Sequence, residues 1–317
     1  MQAILVVTLP FFALVLCGFL AARQRLLPEA AIPGLNAYVL YFALPCMLYR
    51  FGASMPFARL IDVSLIGIYA LCALVLVGLT VALTRRRVGP KNAAFGALVA
   101  AFPNSGFMGV PLLVALHGDA AAGPVIGTLL VDLFLTSTLC LALAHAEHHD
   151  AQDSTLASVG RSLRAALANP QPWAIALGAV AAAMNLQLPA PIAQFVKMLA
   201  DSASPVALFT IGAVLWRAGQ HSHTRTPLRD YLPVALAKLL LHPLLVGGAG
   251  LAARALGVPV SPFGLTMLVL AAALPSASNV SLLAERFGAD NGRVARIIMA
   301  STALAFVSFV LIAWALA

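Results

Sequence analysis

The chain has 317 residues, of which 62% are hydrophobic and only 9% charged. An ordinary soluble domain is about 25% charged, so this composition excludes a soluble globule and implies a polytopic, all-α membrane protein in a lipid bilayer. The formal net charge of +8 does not point to nucleic acid, because the basic residues sit in short segments between apolar runs, with no basic patch interleaved with aromatics.

At about 20 apolar residues per span, the sequence predicts helices near 3–22, 31–52, 62–84, 92–117 and 122–145. A polar connection, HAEHHDAQDSTLASVGRSLRAALAN, follows. Further apolar runs lie near 171–187, 190–216, 231–256, 262–286 and 294–316, which makes ten spans. The N-terminus, MQAILVVTLP, lacks the basic start of a signal peptide and is expected to remain as the first span. Basic residues such as Arg23, Arg25, Arg85, Arg86, Arg87, Lys91, Arg161 and Arg164 fall in one alternate set of connections, and the opposite set holds only Arg50, Arg59 and Arg254. The positive-inside rule therefore puts both termini outside. An Ala- and Arg-rich, Lys-poor composition suggests a bacterial cytoplasmic (inner) cell membrane.

The fourth span is awkward. ALVAAFPNSGFMGVPLLVALH, Ala97 to His117, is apolar, yet its middle holds Pro103, Asn104, Ser105, Gly106 and Gly109. Proline removes a backbone donor and clashes one turn back, and Asn-Ser-Gly favours caps and turns, so a broken helix is expected. Irregular backbone at membrane depth survives only when buried in protein or lining a cavity. A matching interruption occurs in the second half. AAFPNSGFMGVPLLVALHGD from Ala100 pairs with AAALPSASNVSLLAERFGAD from Ala271, and Leu27-Pro28 then Pro45 pairs with Leu188-Pro189 then Pro205. Five helices per half is an odd number, so the repeat must be inverted. The expected division is 1–145, a connecting loop 146–169, and 170–317.

Paired breaks at matching positions point to a secondary transporter's central site. Each following half-helix opens with free N–H groups and a positive dipole end, which suits an anion. Asn104, Ser105, Ser276, Ser278 and Asn279, beside Pro103, Gly106 and Pro275, are the candidate substrate-binding residues; the alternative is that they only satisfy a kinked backbone. Intramembrane Asp132 could carry a coupling proton or cation, or act as a structural acceptor, and its sequence neighbours identify no partner. Lys197 and Asp201 share a helix face at i, i+4 and can pair, either supporting the substrate site or specifying packing. Lys238 and His242 have the same spacing; Lys238 is expected to snorkel from the cytoplasmic end of the eighth span, and neither is assigned chemistry.

Cys17, Cys46, Cys72 and Cys140 fall in apolar runs without metal-ligand spacing and are expected as packed core thiols. The histidine- and acid-rich stretches with His145, Glu147, His148, His149, Asp150 and Asp153, and with His221 and His223, fit no ligand template and read as solvated loops. No metal or cofactor is expected. The absence of a nucleophile elbow, phosphate loop or paired carboxylates leaves the enzyme reading without support.

PNSGFMGVPLL (Pro103–Leu113), ALPSASNVSLLAERFG (Ala273–Gly288) and NAYVLYFALPCMLY from Asn36 together resemble the auxin efflux carrier family. The likeness is strongest to its bacterial members, some described as malonate or other organic-acid transporters. The resemblance implies two inverted five-helix repeats, similar to bile-acid symporters and sodium/proton antiporters, whose broken helices cross near Pro103 and Pro275, with site residues at Asn104 and Asn279. It further implies a scaffold (about 3–52 and 171–216) that forms a homodimer, and a transport domain (about 62–145 and 231–316) that moves in an elevator-like step. The long central hydrophilic loop of large plant members is absent here, so the resemblance does not by itself assign plant-hormone export, and a malonate-like or an auxin-like carboxylate both stay open. The expected function is a secondary carrier for a small organic anion. The rivals are a cation- or amino-acid-coupled carrier using Asp132, and a membrane ligand sensor.

Overall fold

The computed structural model describes residues 1–56, 60–145, 160, 163–164, 167–220 and 226–317. Arg59, Arg161, Glu147, His148, His149, Asp150, Asp153, His221 and His223 lie outside the described residues, as does most of the 146–169 connection.

Among the described residues the chain is all helical. In order these are α1 (Gln2–Arg23), α2 (Glu29–Ala53), α3 (Val63–Val88), α4 (Pro90–Ala101), α5 (Ser105–His117) and α6 (Asp119–His145). Then come α7 (Pro170–Ala183), α8 (Ala190–Gln220), α9 (Leu228–Ala255), α10 (Pro262–Ala272), α11 (Asn279–Arg286) and α12 (Asn291–Ala315). Seven of them, α1, α2, α3, α6, α8, α9 and α12, are long and apolar enough to cross a membrane. The other three expected spans differ for visible reasons. Two are divided at proline, into α4 with α5 and α10 with α11, and the third, α7, is only 14 residues long.

Local chemistry starts these helices where the sequence provides for it. Pro90, Pro170 and Pro262 occupy first helical positions, where a missing N–H costs nothing. Asp62 caps α3 by accepting from the N–H groups of Ser64 (3.0 Å) and Leu65 (3.1 Å), and Ser261 caps α10 by accepting from Gly264 (3.0 Å).

Helices α1, α2, α7 and α8 pack on one another. Between lipid-facing apolar helices close backbone approach replaces the hydrophobic drive, and small residues allow it. A Cβ on Gly18 would stand 1.8 Å from the Phe209 carbonyl oxygen, and one on Gly212 would stand 1.9 Å from that of Val15, so α1 and α8 touch backbone to backbone. Around the remaining helices, α3 packs on α4, α6 and α9, and α9 on α10 and α12.

Charged side chains gather at the two ends of the bundle. At the arginine-rich end Arg217 pairs with Glu29 (3.2 Å) and Arg87 with Asp230 (3.2 Å). There the buried Arg293 donates from Nε to the Asp230 carbonyl (2.7 Å) and from Nη1 to that of Asn92 (2.8 Å), joining α12, α9 and α4. At the opposite end Asp201 accepts from both Arg50 (2.9 Å) and Lys197 (2.5 Å).

Of the four cysteines only Cys72 and Cys140 are buried; Cys46 is half-buried and Cys17 is exposed, because α1 packs through one face and leaves the other open. His145 is not in a loop: it ends α6, with Nδ1 bonded to the Leu141 carbonyl (2.7 Å) and its ring edge-on to Phe287.

Candidate functional site

The two proline interruptions meet. A residue before proline is pushed out of the α region, and Phe102 accordingly leaves the helix at φ −101°, ψ 95°. The extended stretch so created pairs with its counterpart: Pro103 and Ser276 form an isolated antiparallel bridge. Two hydrogen bonds carry it, Asn104 N–H to the Pro275 carbonyl (2.8 Å) and Ala277 N–H to the Phe102 carbonyl (3.0 Å). Neither proline has an N–H to offer, and the donors are Asn104, next after Pro103, and Ala277, two residues after Pro275.

Most backbone groups at the junction find partners, as burial away from water requires. Ser105 N–H bonds the Pro103 carbonyl (2.8 Å), and the Asn104 carbonyl accepts from Met108 (3.1 Å) and Gly109 (2.9 Å) as the chain re-enters a helix through a π-helical turn at Ser105–Gly109. Ser276 N–H reaches Ser301 Oγ on α12 (3.2 Å). Gly109 makes the approach feasible, since a Cβ there would lie 2.6 Å from Leu274 Cδ1.

Asn104, Ser105, Ser276 and Ser278 are all buried, and Asn279, the first residue of α11, is half-buried. Ser105 Oγ bonds Thr128 Oγ1 on α6 (3.2 Å). At the junction Ser276 Oγ and Asn279 Oδ1 are left over, two of the nine side-chain polar atoms among the described residues that are buried with no hydrogen-bond partner. A buried polar atom without a partner calls for an explanation, and both of these lie at the second break, where α11 begins. A small ligand offering both donors and acceptors would satisfy them.

Asp132 was the acid with no partner identifiable from sequence. In the fold it is fully buried and has several. Tyr69 Oη donates to Oδ2 (3.1 Å), Thr136 Oγ1 to Oδ1 (3.3 Å), and Lys238 acts on it electrostatically. Lys238 does not snorkel. It is fully buried because its Nζ finds an internal acceptor, the Ala272 carbonyl at the end of α10 (2.6 Å), and contacts His242 Nδ1 (3.2 Å). Sequence reasoning assigned Lys238, His242 and Tyr69 no role; the signal that pointed to Lys238 and His242 was their i, i+4 spacing inside an apolar span.

Lys197 and Asp201 do pair, but at the bundle end, with side chains about half exposed and with Arg50 as a third member. Asp201, but not Lys197, borders an open cavity of about 710 Å³ lined also by Arg50, Asp119 and Ser204.

A model of the membrane transport protein family matches residues 3–313. The chain belongs to this family. It is the family of the auxin efflux carriers: "Auxin efflux carrier component 8" of Arabidopsis thaliana is 22% identical over 75% of this chain and 78% of its own length. Bacterial relatives in the membrane transport protein family cover more. "Putative malonate transporter" of Rhizobium meliloti (strain 1021) is 28% identical over 93% of this chain and 90% of the relative, and "Uncharacterized transporter YfdV" of Escherichia coli (strain K12) is 27% identical over 88% and 87%.

Proposed function

We propose that this membrane transport protein is a secondary active carrier of a small organic anion, a malonate-like carboxylate, and not an enzyme. The observation that carries the proposal is the Pro103–Ser276 bridge, which brings the polar residues after both breaks to one buried point. The N-terminal ends of α5 and α11 each contribute a partial positive charge of about half an elementary charge. Asn104, Ser105, Ser276, Ser278 and Asn279 supply hydrogen bonds that orient a carboxylate, while Pro103, Gly106 and Pro275 keep the backbone open for it.

In this reading the ten spans form two inverted five-helix repeats whose broken helices cross. The α1, α2, α7 and α8 group is the scaffold and the site of homodimer contact, and the rest is a transport domain that carries the substrate across in an elevator step of alternating access. Support comes from the close backbone packing of α1 on α8 and from the packing of α3 on α4, α6 and α9. The arginine-rich end faces the cytoplasm and both termini face outward, across a bacterial inner membrane.

The test is uptake by proteoliposomes containing the purified chain, with labelled malonate, monocarboxylates and indole acetate offered in turn. Saturable uptake of a carboxylate that falls sharply in Asn104→Ala and Asn279→Ala supports the site. Transport unchanged in both variants removes it, and ligand binding without net flux supports a sensor instead.

A further inference from the structure

The substrate junction does not use the buried group of ionisable side chains one layer away. Asp132, Tyr69, Lys238 and His242 are all fully buried within the bundle, and only Lys238 and His242 are close in sequence. They come from α6, α3 and α9. Tyr69 donates to Asp132, its ring lies 5.4 Å from that of His242, His242 Nδ1 meets Lys238 Nζ at 3.2 Å, and Lys238 and Asp132 attract each other. The other titratable groups that face the cluster are Cys72 on α3 and Cys140 on α6, both buried.

Three features separate this cluster from a structural ion pair. First, it is not saturated: among the described residues His242 Nε2 is buried with no partner. With Nδ1 accepting from the Lys238 ammonium, Nε2 carries the ring proton and has nowhere to donate it. Second, Asp132 and Lys238 both lie in π-helical turns, Asp132–Thr136 and Ala237–Leu241. Such turns are rare and concentrate at functional positions. Third, the cluster reaches both helix breaks. Asp132 stands one turn beyond Thr128, whose hydroxyl bonds Ser105 at the first break, and Lys238 donates to Ala272, which closes α10 just ahead of the second.

We propose that Asp132, Tyr69, His242 and Lys238 form a proton-binding site that couples one proton to each translocation; this rests on the carrier reading above. Lys238 places a tethered positive charge at the carbonyl end of α10, where the half-helix dipole is negative. A mobile metal cation therefore has no vacancy to fill there, and the exchangeable ion is the proton. Protonation of Asp132 by water from one side neutralises the carboxylate and leaves Lys238 with only the Ala272 carbonyl and His242 as partners. The change weakens the charge attraction between α6 and α9 and alters the support behind both breaks. The added proton also offsets one negative charge of an anionic substrate during its passage through low-dielectric surroundings.

Two measurements decide it. In the purified full-length protein, infrared difference spectra between neutral and acid pH should contain a buried carboxylic-acid carbonyl band that disappears in Asp132→Asn. The band's pH midpoint should move in Tyr69→Phe and Lys238→Met and return towards wild type in Lys238→Arg. In proteoliposomes with labelled malonate, an imposed gradient of one pH unit should raise accumulation up to about tenfold, the equilibrium limit for one coupled proton. That ratio should fall to unity in Asp132→Asn and recover in Asp132→Glu. The proposal is overturned if no band depends on Asp132, if folded Asp132→Asn keeps the gradient response, or if a sodium gradient drives uptake in place of protons. Should no carboxylate be transported at all, the carrier reading fails while the infrared result still decides the proton site. If Asp132→Asn does not fold, the Tyr69→Phe midpoint takes its place: an unmoved midpoint overturns the site.

Discussion

The Asn104 backbone N–H donates to the Pro275 carbonyl at 2.8 Å, joining residues from opposite halves of the chain. This bond and its partner from Ala277 leave the side chains of the two breaks free of the task of satisfying the backbone at that point, and so available to a ligand.

Ser276→Ala separates ligand binding from folding. The Ser276 hydroxyl is buried without a protein partner, so its removal should leave the thermal unfolding temperature unchanged. If it bonds the substrate, the loss is that of one hydrogen bond, about 0.5–1.5 kcal/mol, which corresponds to a roughly two- to tenfold weaker apparent affinity for transport. An unchanged affinity would place the substrate elsewhere.

Gly109→Ala should disturb the junction itself. The new methyl group would stand 2.6 Å from Leu274 Cδ1 and 3.3 Å from Val125 Cγ1 on α6, and Leu274 is itself fully buried. Overpacking of this kind costs about 1–3 kcal/mol. A lowered unfolding temperature, partly restored by adding Leu274→Ala, is the expected result in detergent-solubilised protein.

Gly212→Ala tests the α1–α8 contact. Here the obstacle is the Val15 carbonyl oxygen, 1.9 Å away, and backbone cannot rotate aside as a side chain can. The helices must separate along their length, at a cost on the order of 3 kcal/mol or more. Retention of wild-type stability in a denaturant titration would show that the two helices do not pack this closely.

Lys197→Ala should do little to stability. Its ion pair with Asp201 is half exposed and shared with Arg50, and exposed pairs contribute about 0–1 kcal/mol. The expected unfolding temperature is within error of wild type. A large destabilisation would mean that this end of the bundle is shielded by a partner subunit or lipid.

The two breaks were legible in sequence because proline has a fixed local effect, and the pattern of neighbouring polar residues repeats. Their contact was legible only as an inference from symmetry. Nothing in local sequence distinguishes a Lys238 that snorkels from one whose ammonium meets the Ala272 carbonyl, since the acceptor lies 34 residues away. For the same reason Asp132 looked solitary: its donor, Tyr69, is 63 residues earlier.

Composition and periodicity alone determined that this chain lives in a membrane, where its helices run and where two of them break, because those properties depend on hydrophobic length and on backbone chemistry within a few residues. Tertiary structure decided which polar groups face one another. It placed Pro103 against Ser276, drew Asp132, Tyr69, His242 and Lys238 into one buried cluster, and left Lys197 with Asp201 at the bundle end. Spacing of four residues already put Lys238 beside His242 and Lys197 beside Asp201, but Tyr69 for Asp132 and the Ala272 carbonyl for Lys238 come from distant segments, and only packing assigns such partners.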